Sequence, residues 1–322
     1  LDYVRSHKPG AAILPLLQNV TNQKWDGAGL AALLADPSRR TVLLGKIVGF
    51  LTANKLQGIT IDFENVPPGA HRDLETFLSE MSATFAPHDW IIAMAAPFDD
   101  DTWPYQTYAD IVDYTVLMAY DEADDSGPPG AIAGQAWFEK VLDKRMAVLP
   151  PDSTIIALGA YAYDWENGGA AVSLGFQDAM VAARDAGATV AFDEATDNPR
   201  FSYKQEDGSR HDVWLLDGAT AFNEIHAADA YQPAGYALWH LGSEAPSSLE
   251  LLGRRYGLPA PANFGHIAVN NEDIDFDGQG EILQVAGDPV PGRRTLQFEP
   301  GTGDIVYERY TQLPTSYVIR RD

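Results

Sequence analysis

The sequence predicts an α/β protein of the TIM-type (β/α)8 barrel class, followed by a small β-rich appendage. Seven short apolar runs alternate with stretches of helical periodicity over roughly 245 residues. Strands that are separated by helices in this way form βαβ units and a parallel sheet. Seven strands are one fewer than a closed barrel needs, so we expect the first strand to precede Leu1.

The predicted strands are short, apolar and bounded by turn residues, as buried parallel strands are. In chain order they cover residues 11–17, 58–63, 90–96, 114–120, 153–161, 213–216 and 235–239. A doubly wound sheet is the alternative architecture. It usually carries a glycine-rich phosphate loop after its first strand, and this chain has none.

The predicted helices have apolar residues at intervals of three and four, and several are preceded by a capping residue or a proline. They cover residues 27–35, 38–55, 69–85, 104–111, 134–148, 174–186, 218–231 and 248–255. Most of them follow a predicted strand, as a barrel requires.

Two segments depart from this alternation. Residues 193–212 contain aromatic residues that alternate with polar ones, and the Asp207-Gly208 pair is typical of a tight turn, so we predict an inserted β-hairpin. After residue 257 short β-like runs are separated by Gly, Pro and Asp. The predicted domains are therefore a barrel over 1–257 and an appendage, or a linker to a following domain, over 258–322.

The composition excludes several classes of function. The 322-residue chain has 46 acidic and 22 basic residues, a formal charge of −24, and no cysteine. Such a charge is repelled by phosphate backbones and anionic lipid, so we expect no nucleic-acid partner. No apolar run is long enough to span a membrane, so we expect no direct membrane insertion of this segment. The opening LDYVRSHKPG is typical of the end of a helix, and we expect the chain to be a piece of a longer protein.

The clearest chemical feature is the strand GITIDF and the acid that follows it. Alternation places Thr60, Asp62 and Glu64 on one face, toward the barrel interior. In a barrel the carboxyl ends of the strands form the active site. Buried carboxyl groups close together raise the pKa of one of them, which gives a proton donor near neutral pH. The alternative is a solvated strand end with a capping Asp.

The sequence predicts no metal and no cofactor. The seven histidines form no zinc-binding pair, and a G-x-S-x-G serine motif is absent. The acidic segment 273–277 fits the first half of a calcium loop. Gln284 stands where that loop needs a Glu, which favours a tight acidic turn.

The segment QGITIDFE resembles the DGxDxDxE motif of family 18 glycoside hydrolases, the chitinase family. In this alignment Gly58 matches the motif glycine, Asp62 the assisting Asp and Glu64 the general acid. Gln57 and Thr60 stand where the motif has two further acids.

Three more segments resemble motifs of the same family, in the same order along the chain. They are LMAYDE at 117–122, LGAYAYDW at 158–165 and YALWHLGSE at 236–244. They add five residues to the predicted site: Met118, Tyr120, Asp121, Tyr161 and Trp239.

The resemblance implies a retaining glycosidase that cuts β-linked N-acetylglucosamine polymers with the help of the substrate's own acetamido group. Glu64 would act as the general acid and then as the base. Asp62 would bind the acetamido N–H, Tyr120 would donate a hydrogen bond to the acetamido group, and Trp239 would form the floor under the sugar.

The other predicted residues are assigned to substrate binding. The resemblance places Met118 and Tyr120 inward, Asp121 at the rim and Tyr161 at the first Tyr of its motif. Gln18 and Asn19 follow the first visible strand as rim contacts. Asp164 and Asp217 are interpreted either as sugar contacts or as helix caps. Trp25, Trp103, Trp165 and Trp214 are interpreted either as stacking platforms or, more readily, as core residues.

The motif variants look closest to bacterial members that act on cell walls and exopolysaccharides. They particularly resemble a domain joined in one long chain to a polysaccharide deacetylase and a membrane glycosyltransferase. This implies an amino-sugar polysaccharide as partner and an extracytoplasmic location. Because Gln57 and Thr60 replace acids, a non-catalytic glycan-binding or glycan-positioning domain remains the alternative, although the retained Glu64 favours an enzyme.

Overall fold

The protein is described by a computed structural model that covers residues 1–255 and five later strand segments. These segments are His266–Val269, Ile282–Ala286, Arg293–Phe298, Ile305–Tyr310 and Tyr317–Arg320. Consecutive ones pair antiparallel, so the predicted β runs of the appendage are present as strands. The predicted boundary at 257/258 and the acidic segment 273–277 lie outside the described residues.

The chain divides into two compact units. Unit 1 contains residues 1–118, 145–155 and 233–235, and unit 2 contains 119–144, 156–232 and the described residues from 236 onward. Three elements are divided between them: Gln135–Met146, Thr154–Gly159 and Gly235–Trp239.

Unit 1 is built on parallel strands. Four strands lie side by side, each parallel to the next: Leu16–Gln18, Gly58–Asp62, Ile91–Pro97 and Tyr114–Met118. The helices that lie wholly in this unit are Asp2–His7, Gly27–Leu34, Pro37–Asn54, His71–Phe85 and Tyr105–Ala109. A two-stranded hairpin joins Val20–Thr21 to Lys24–Trp25. The predicted helices of this part of the chain and the strands predicted at 58–63, 90–96 and 114–120 are therefore confirmed to within a few residues. The strand predicted over 11–17 is shorter and lies later, at Leu16–Gln18.

The helix His71–Phe85 shows why these elements form where they do. Its buried residues recur at helical spacing and make one apolar face: Leu74, Phe77, Leu78, Met81 and Phe85. The helix Pro37–Asn54 begins at an Asp36 cap with proline in its first turn, and it ends at Lys55 in the left-handed conformation. Apolar periodicity and caps therefore fix both the packing face and the ends of the helices.

Unit 2 contains an antiparallel sheet. Its described strands outside the appendage lie in the order Ala191–Asp193, Asn198–Lys204, Arg210–Leu215, Ala162–Glu166 and Ala171–Leu174. The helices that lie wholly in this unit are Phe176–Asp185, Gly218–Asp229 and Pro246–Arg255. The helix Phe176–Asp185 packs on this sheet through a cluster that includes Phe176, Met180 and Val213.

The predicted hairpin over 193–212 is confirmed, but the prediction for the next strand is wrong. Asn198–Lys204 and Arg210–Leu215 pair antiparallel around a turn in which the Gly208 N–H donates to the Gln205 carbonyl at 3.0 Å. We predicted residues 213–216 as a parallel barrel strand. They instead belong to the antiparallel sheet, because Arg210–Leu215 pairs with Ala162–Glu166 on its other side. An apolar run has the same pattern in either direction, so periodicity alone does not distinguish the two cases.

No helix among the described residues is long and apolar enough to cross a membrane.

Candidate active site

The strand Gly58–Asp62 presents one apolar face and one polar face. Ile59 and Ile61 are buried, and the ring of Phe63 lies 6.4 Å from that of Phe77 on the adjacent helix. The opposite face carries Thr60 and Asp62, as the alternation predicts. The strand begins at a glycine for a steric reason, because a Cβ on Gly58 would lie 2.0 Å from the Ile91 carbonyl oxygen.

Asp62 is the last residue of this strand and is only 5% exposed. Its Oδ2 accepts a hydrogen bond from Gln18 Nε2 at 2.8 Å, and its Oδ1 has no hydrogen-bond partner among the described residues. Burial raises the pKa of Asp62, and the Gln18 hydrogen bond opposes this in part. The raised pKa agrees with the prediction in direction. Its cause is burial of the Asp62 carboxyl, whereas the prediction attributed it in part to a second carboxylate nearby.

Glu64 lies two residues further on, where the main chain is held by a side chain. Asn19 Oδ1 accepts from the Glu64 N–H at 3.0 Å, and Asn19 Nδ2 donates to the Glu64 carbonyl at 2.9 Å. Asn65 follows in the left-handed conformation with φ of 52°. The chain therefore turns immediately after Glu64, and the two hydrogen bonds fix the turn.

Parallel pairing explains why Gln18 and Asn19 reach these acids. In the register of the two strands Leu16 lies opposite Thr60 and Gln18 opposite Asp62. Met118, the remaining predicted residue of unit 1, is half-buried at the carboxyl end of Tyr114–Met118. Unit 1 therefore brings Gln18, Asn19, Asp62 and Glu64 together.

Gln57 lies at the amino end of the same strand and has a structural role. Its Oε1 accepts from the Ile13 N–H at 2.9 Å, and its Nε2 donates to the Lys55 carbonyl at 3.0 Å. The motif acid that Gln57 replaces would therefore lie at the end of the strand opposite to Asp62.

In unit 2 the predicted residues gather around Asp121, which has a left-handed conformation with φ of 63°. Its Oδ1 accepts hydrogen bonds from the hydroxyls of Tyr161 and Tyr163, the second at 3.1 Å. The rings of Tyr120 and Tyr161 meet edge to face at 6.0 Å. Loss of water around the Asp121 carboxyl raises its pKa, and the two tyrosine hydroxyls act in the opposite direction.

Trp239 ends the strand Gly235–Trp239 and is 42% exposed. Its carbonyl accepts from the Ala160 N–H at 2.7 Å, next to Tyr161 in the chain. An exposed indole at the end of a strand suits a sugar-stacking role, since ring faces bind apolar sugar faces without polar partners.

The sequence did not identify Tyr163 as a partner of Asp121. The available signal was the spacing of Tyr161, Tyr163 and Trp165, which places three aromatic residues on one face of an extended segment. Their rings contact one another in order, at centroid distances of 5.1 and 5.4 Å.

The burial of the other tryptophans and the hydrogen bonds of Asp217 distinguish between the roles that the sequence left open. Trp103 and Trp165 are buried, so they are core residues, while Trp25 and Trp214 are half-buried. Asp217 caps the helix Gly218–Asp229 through the N–H groups of Ala219 and Thr220.

Asp164 is a structural residue of the antiparallel sheet. It accepts from Tyr203 and pairs with His211, each at 2.9 Å. Among the described residues no group of three or more His, Asp or Glu side chains is arranged to hold a metal.

A buried carboxyl and a second acid at the end of a parallel strand are typical of a glycosidase active site, and comparisons with known proteins agree. Residues 13–244 match glycosyl hydrolases family 18, and the chain belongs to this family. It is 25% identical over 260 residues to the cortical fragment-lytic enzyme of Bacillus subtilis, a match that covers 76% of this chain and 60% of that protein.

Two solved structures share the fold. The Bacillus cereus spore cortex-lytic enzyme SleL gives a TM-score of 0.70 at 22% identity, over 77% of this chain and 61% of that one. A chitinase from Chromobacterium violaceum gives 0.72 at 24% identity, over 80% of this chain and 83% of that one. The fold is therefore a TIM-type (β/α)8 barrel, and the predicted class is confirmed. The chain spans about 60% of the length of the Bacillus subtilis relative that it matches.

Proposed function

We propose that the chain is a retaining glycoside hydrolase that cuts β-linked N-acetylglucosamine polysaccharide with the assistance of the substrate. The observation that carries this proposal is the pair Asp62 and Glu64. Asp62 is buried, and one of its carboxyl oxygens accepts from Gln18 while the other is buried without a hydrogen-bond partner among the described residues. Glu64 follows, and two hydrogen bonds from the Asn19 side chain hold its main chain. This arrangement supplies one oriented hydrogen-bond acceptor and one proton donor.

The reaction proceeds in two steps. In the first, Glu64 gives its proton to the glycosidic oxygen while the acetamido oxygen of the substrate attacks the anomeric carbon, and the glycosidic bond breaks. In the second, Glu64 takes a proton from a water molecule, which attacks the same carbon and opens the oxazolinium ring. Two displacements at one carbon retain its configuration.

Asp62 acts on the intermediate. Its Oδ1, which has no hydrogen-bond partner among the described residues, accepts the acetamido N–H and holds that group in the attacking orientation. Positive charge then develops on the oxazolinium ring, and an ionised Asp62 stabilises it in a site that excludes water. The stabilisation is stronger along the reaction path than in the bound substrate, so it lowers the barrier.

The residues of unit 2 receive their roles in this proposal from the family resemblance. Tyr120 donates a hydrogen bond to the acetamido group, and Trp239 supplies the apolar floor. Asp121 contacts sugar hydroxyls, and Tyr161 keeps Asp121 oriented. The exposure of Trp239 and the hydroxyl bonds to Asp121 support these roles.

The relatives indicate the class of substrate and the location. They are named for lysis of spore cortex and for chitinase activity. Both names fit polymers that contain N-acetylglucosamine, and we propose that the protein acts on such a polymer outside the cytoplasm. A longer chain that also carries a deacetylase and a glycosyltransferase stays a prediction.

The test is release of reducing ends from a panel of N-acetylglucosamine polymers, with the wild type beside Glu64→Gln. The loss of the acid should lower turnover by the ~10²–10⁴-fold typical of general acid–base catalysis. Glu75→Gln, on the exposed surface of the helix His71–Phe85, is the matched control and should retain full activity. A fully de-N-acetylated polymer should not be cut, because it lacks the nucleophile. Cleavage of that polymer at the wild-type rate would contradict substrate assistance.

The second candidate function is a glycan-binding domain without turnover. Thr60 favours it, because no acid stands beside Asp62 on the interior face of the strand. Binding of several acetylated polymers by the wild type, with no reducing ends released, would support this function in place of the first.

A further inference from the structure

The two acids of unit 1 are each held by a residue of the neighbouring strand segment. Gln18 donates its side-chain N–H to the carboxyl of Asp62, and Asn19 brackets the main chain of Glu64 with two hydrogen bonds. Sequence analysis assigned both residues to the rim as substrate contacts. In the structure the partner of Gln18 is the Asp62 carboxyl, and the partner of Asn19 is the main chain of Glu64.

The Gln18 bond has a defined polarity. Gln18 donates through Nε2, so Asp62 Oδ2 is the acceptor in this bond. A proton on Asp62 therefore goes to Oδ1, the oxygen without a partner among the described residues. When Asp62 is ionised, the same Oδ1 is the oxygen that remains able to accept a bond from another molecule.

The position that could hold Asp62 from its own strand does not carry an acid. Thr60 is half-buried on the same face, two residues before Asp62. In the register of the sheet its neighbours are Leu16 on one side and Ala93 on the other, and neither side chain is polar. The hydrogen bond that orients Asp62 comes from Gln18, on the neighbouring strand.

We propose that Gln18 is a positioning residue that holds Asp62 through Oδ2 and leaves Oδ1, which is buried and has no partner among the described residues, to accept the acetamido N–H of the substrate. This inference rests on the proposed glycosidase function and assigns to Gln18 no contact with the substrate. A neutral amide keeps the carboxyl in place without adding a second titrating group.

The experiment compares the pH dependence of kcat/KM for the wild type, Gln18→Met and Gln57→Met. Methionine keeps the length of glutamine and removes the donor. Gln57 is the matched control, because its side chain also makes two hydrogen bonds within unit 1, to Ile13 and Lys55, but before the amino end of Gly58–Asp62. Thermal unfolding of each variant shows whether it is folded.

Loss of one hydrogen bond to an ionised group should move the acidic limb of the Gln18→Met profile upward by about one pH unit. At acidic pH, on this limb of the profile, kcat/KM of Gln18→Met should be about tenfold lower than that of the wild type. At the pH optimum the difference between the two proteins should be smaller. Gln57→Met should keep the wild-type profile, even if its melting temperature is lower.

A second variant keeps the test decisive if Gln18→Met does not fold. Gln18→Glu has the same shape and places a titrating acid against Asp62. Like charges raise the pKa of the pair, so its acidic limb should lie above that of the wild type and become broader.

The outcomes separate the two proposals. A wild type that releases no reducing ends from any polymer contradicts the proposed function itself. An active wild type whose acidic limb is unchanged in both Gln18 variants overturns the positioning role and leaves the glycosidase function in place. A rise in KM with an unchanged pH profile would indicate that Gln18 contacts the substrate, as the sequence predicts, and would overturn the positioning role.

Discussion

Asp62→Asn should make the protein more stable at neutral pH while it lowers turnover. The wild-type carboxyl is 5% exposed, accepts one hydrogen bond and has a raised pKa because of burial. Asparagine keeps an oxygen for the Gln18 donor and removes the charge. In the proposed reaction Asp62 acts in its ionised form, and ionisation of this buried residue destabilises the folded chain.

The size of the effect follows from the unpartnered oxygen. Burial of an ionised group with only half of its hydrogen bonding satisfied costs on the order of 1 kcal/mol or more. A gain of about 1 kcal/mol corresponds to a melting temperature about 2–4 °C higher for a chain of 150–250 residues, and slightly less for a longer one.

The pH dependence has a definite sign. The folded pKa of Asp62 lies above its unfolded value of 3.8, so the folded state binds the proton more tightly. Below pH 3.8 the group is protonated in both states, and the two proteins should differ little. As the pH rises from 3.8 to the raised folded pKa, the wild type loses stability and Asp62→Asn does not. The difference in stability between Asp62→Asn and the wild type should therefore increase with rising pH and then stay constant.

The assay is thermal unfolding of both proteins in buffers from acidic to mildly alkaline pH, with reducing-end release measured on the same preparations. A variant that is less stable than the wild type at neutral pH would refute the reasoning. It would mean that Asp62 is stabilised by its partners in the ionised form. A stability difference that does not change with pH would also refute the reasoning, because the charge of Asp62 would then not be its cause.

Three further changes test other parts of the molecule by chemical denaturation. Gly159→Ala should destabilise by about 1–3 kcal/mol, because its Cβ would lie 2.5 Å from Leu216 Cδ1 in a packed core, and a smaller loss would mean that the leucine moves aside. Tyr161→Phe should cost about 1.5–3 kcal/mol, since it removes a hydroxyl that donates to the Asp121 carboxylate, and Asp121→Asn should reduce that difference. Glu224→Gln should leave stability at neutral pH unchanged or higher, because burial raises the pKa of this fully buried acid well above its usual range, and a clear loss would show that its charge is needed.

The face on which Asp62 lies could be predicted from the sequence, and its partner could not. Alternation within one strand places Thr60 and Asp62 on the same face, because that pattern depends on neighbouring residues only. The bond from Gln18 to Asp62 depends on the register between strands that lie 44 residues apart in the chain. A single sequence contains no information on that register.

The direction of one strand was predicted wrongly although the sequence contained a signal for it. Residues 213–216 are apolar and precede a helix, as barrel strands do, yet Arg210–Leu215 runs antiparallel between Asn198–Lys204 and Ala162–Glu166. The signal was present in the predicted hairpin, which forces the strand after its turn to run antiparallel to the one before it. The hairpin prediction and the parallel assignment were therefore incompatible, and the hairpin was correct.

The replacement of an acid by Thr60 changes how the site handles protons. Where two carboxyl groups share a proton, they titrate as a pair, and the pH profile reports the pair. Here the hydrogen bond to Asp62 comes from the neutral amide of Gln18, which does not titrate. The acidic limb of the profile should then have the slope of a single ionisation. In such a site the hydrogen-bond donor orients the Asp62 carboxyl, but no acid on the same strand exchanges a proton with it.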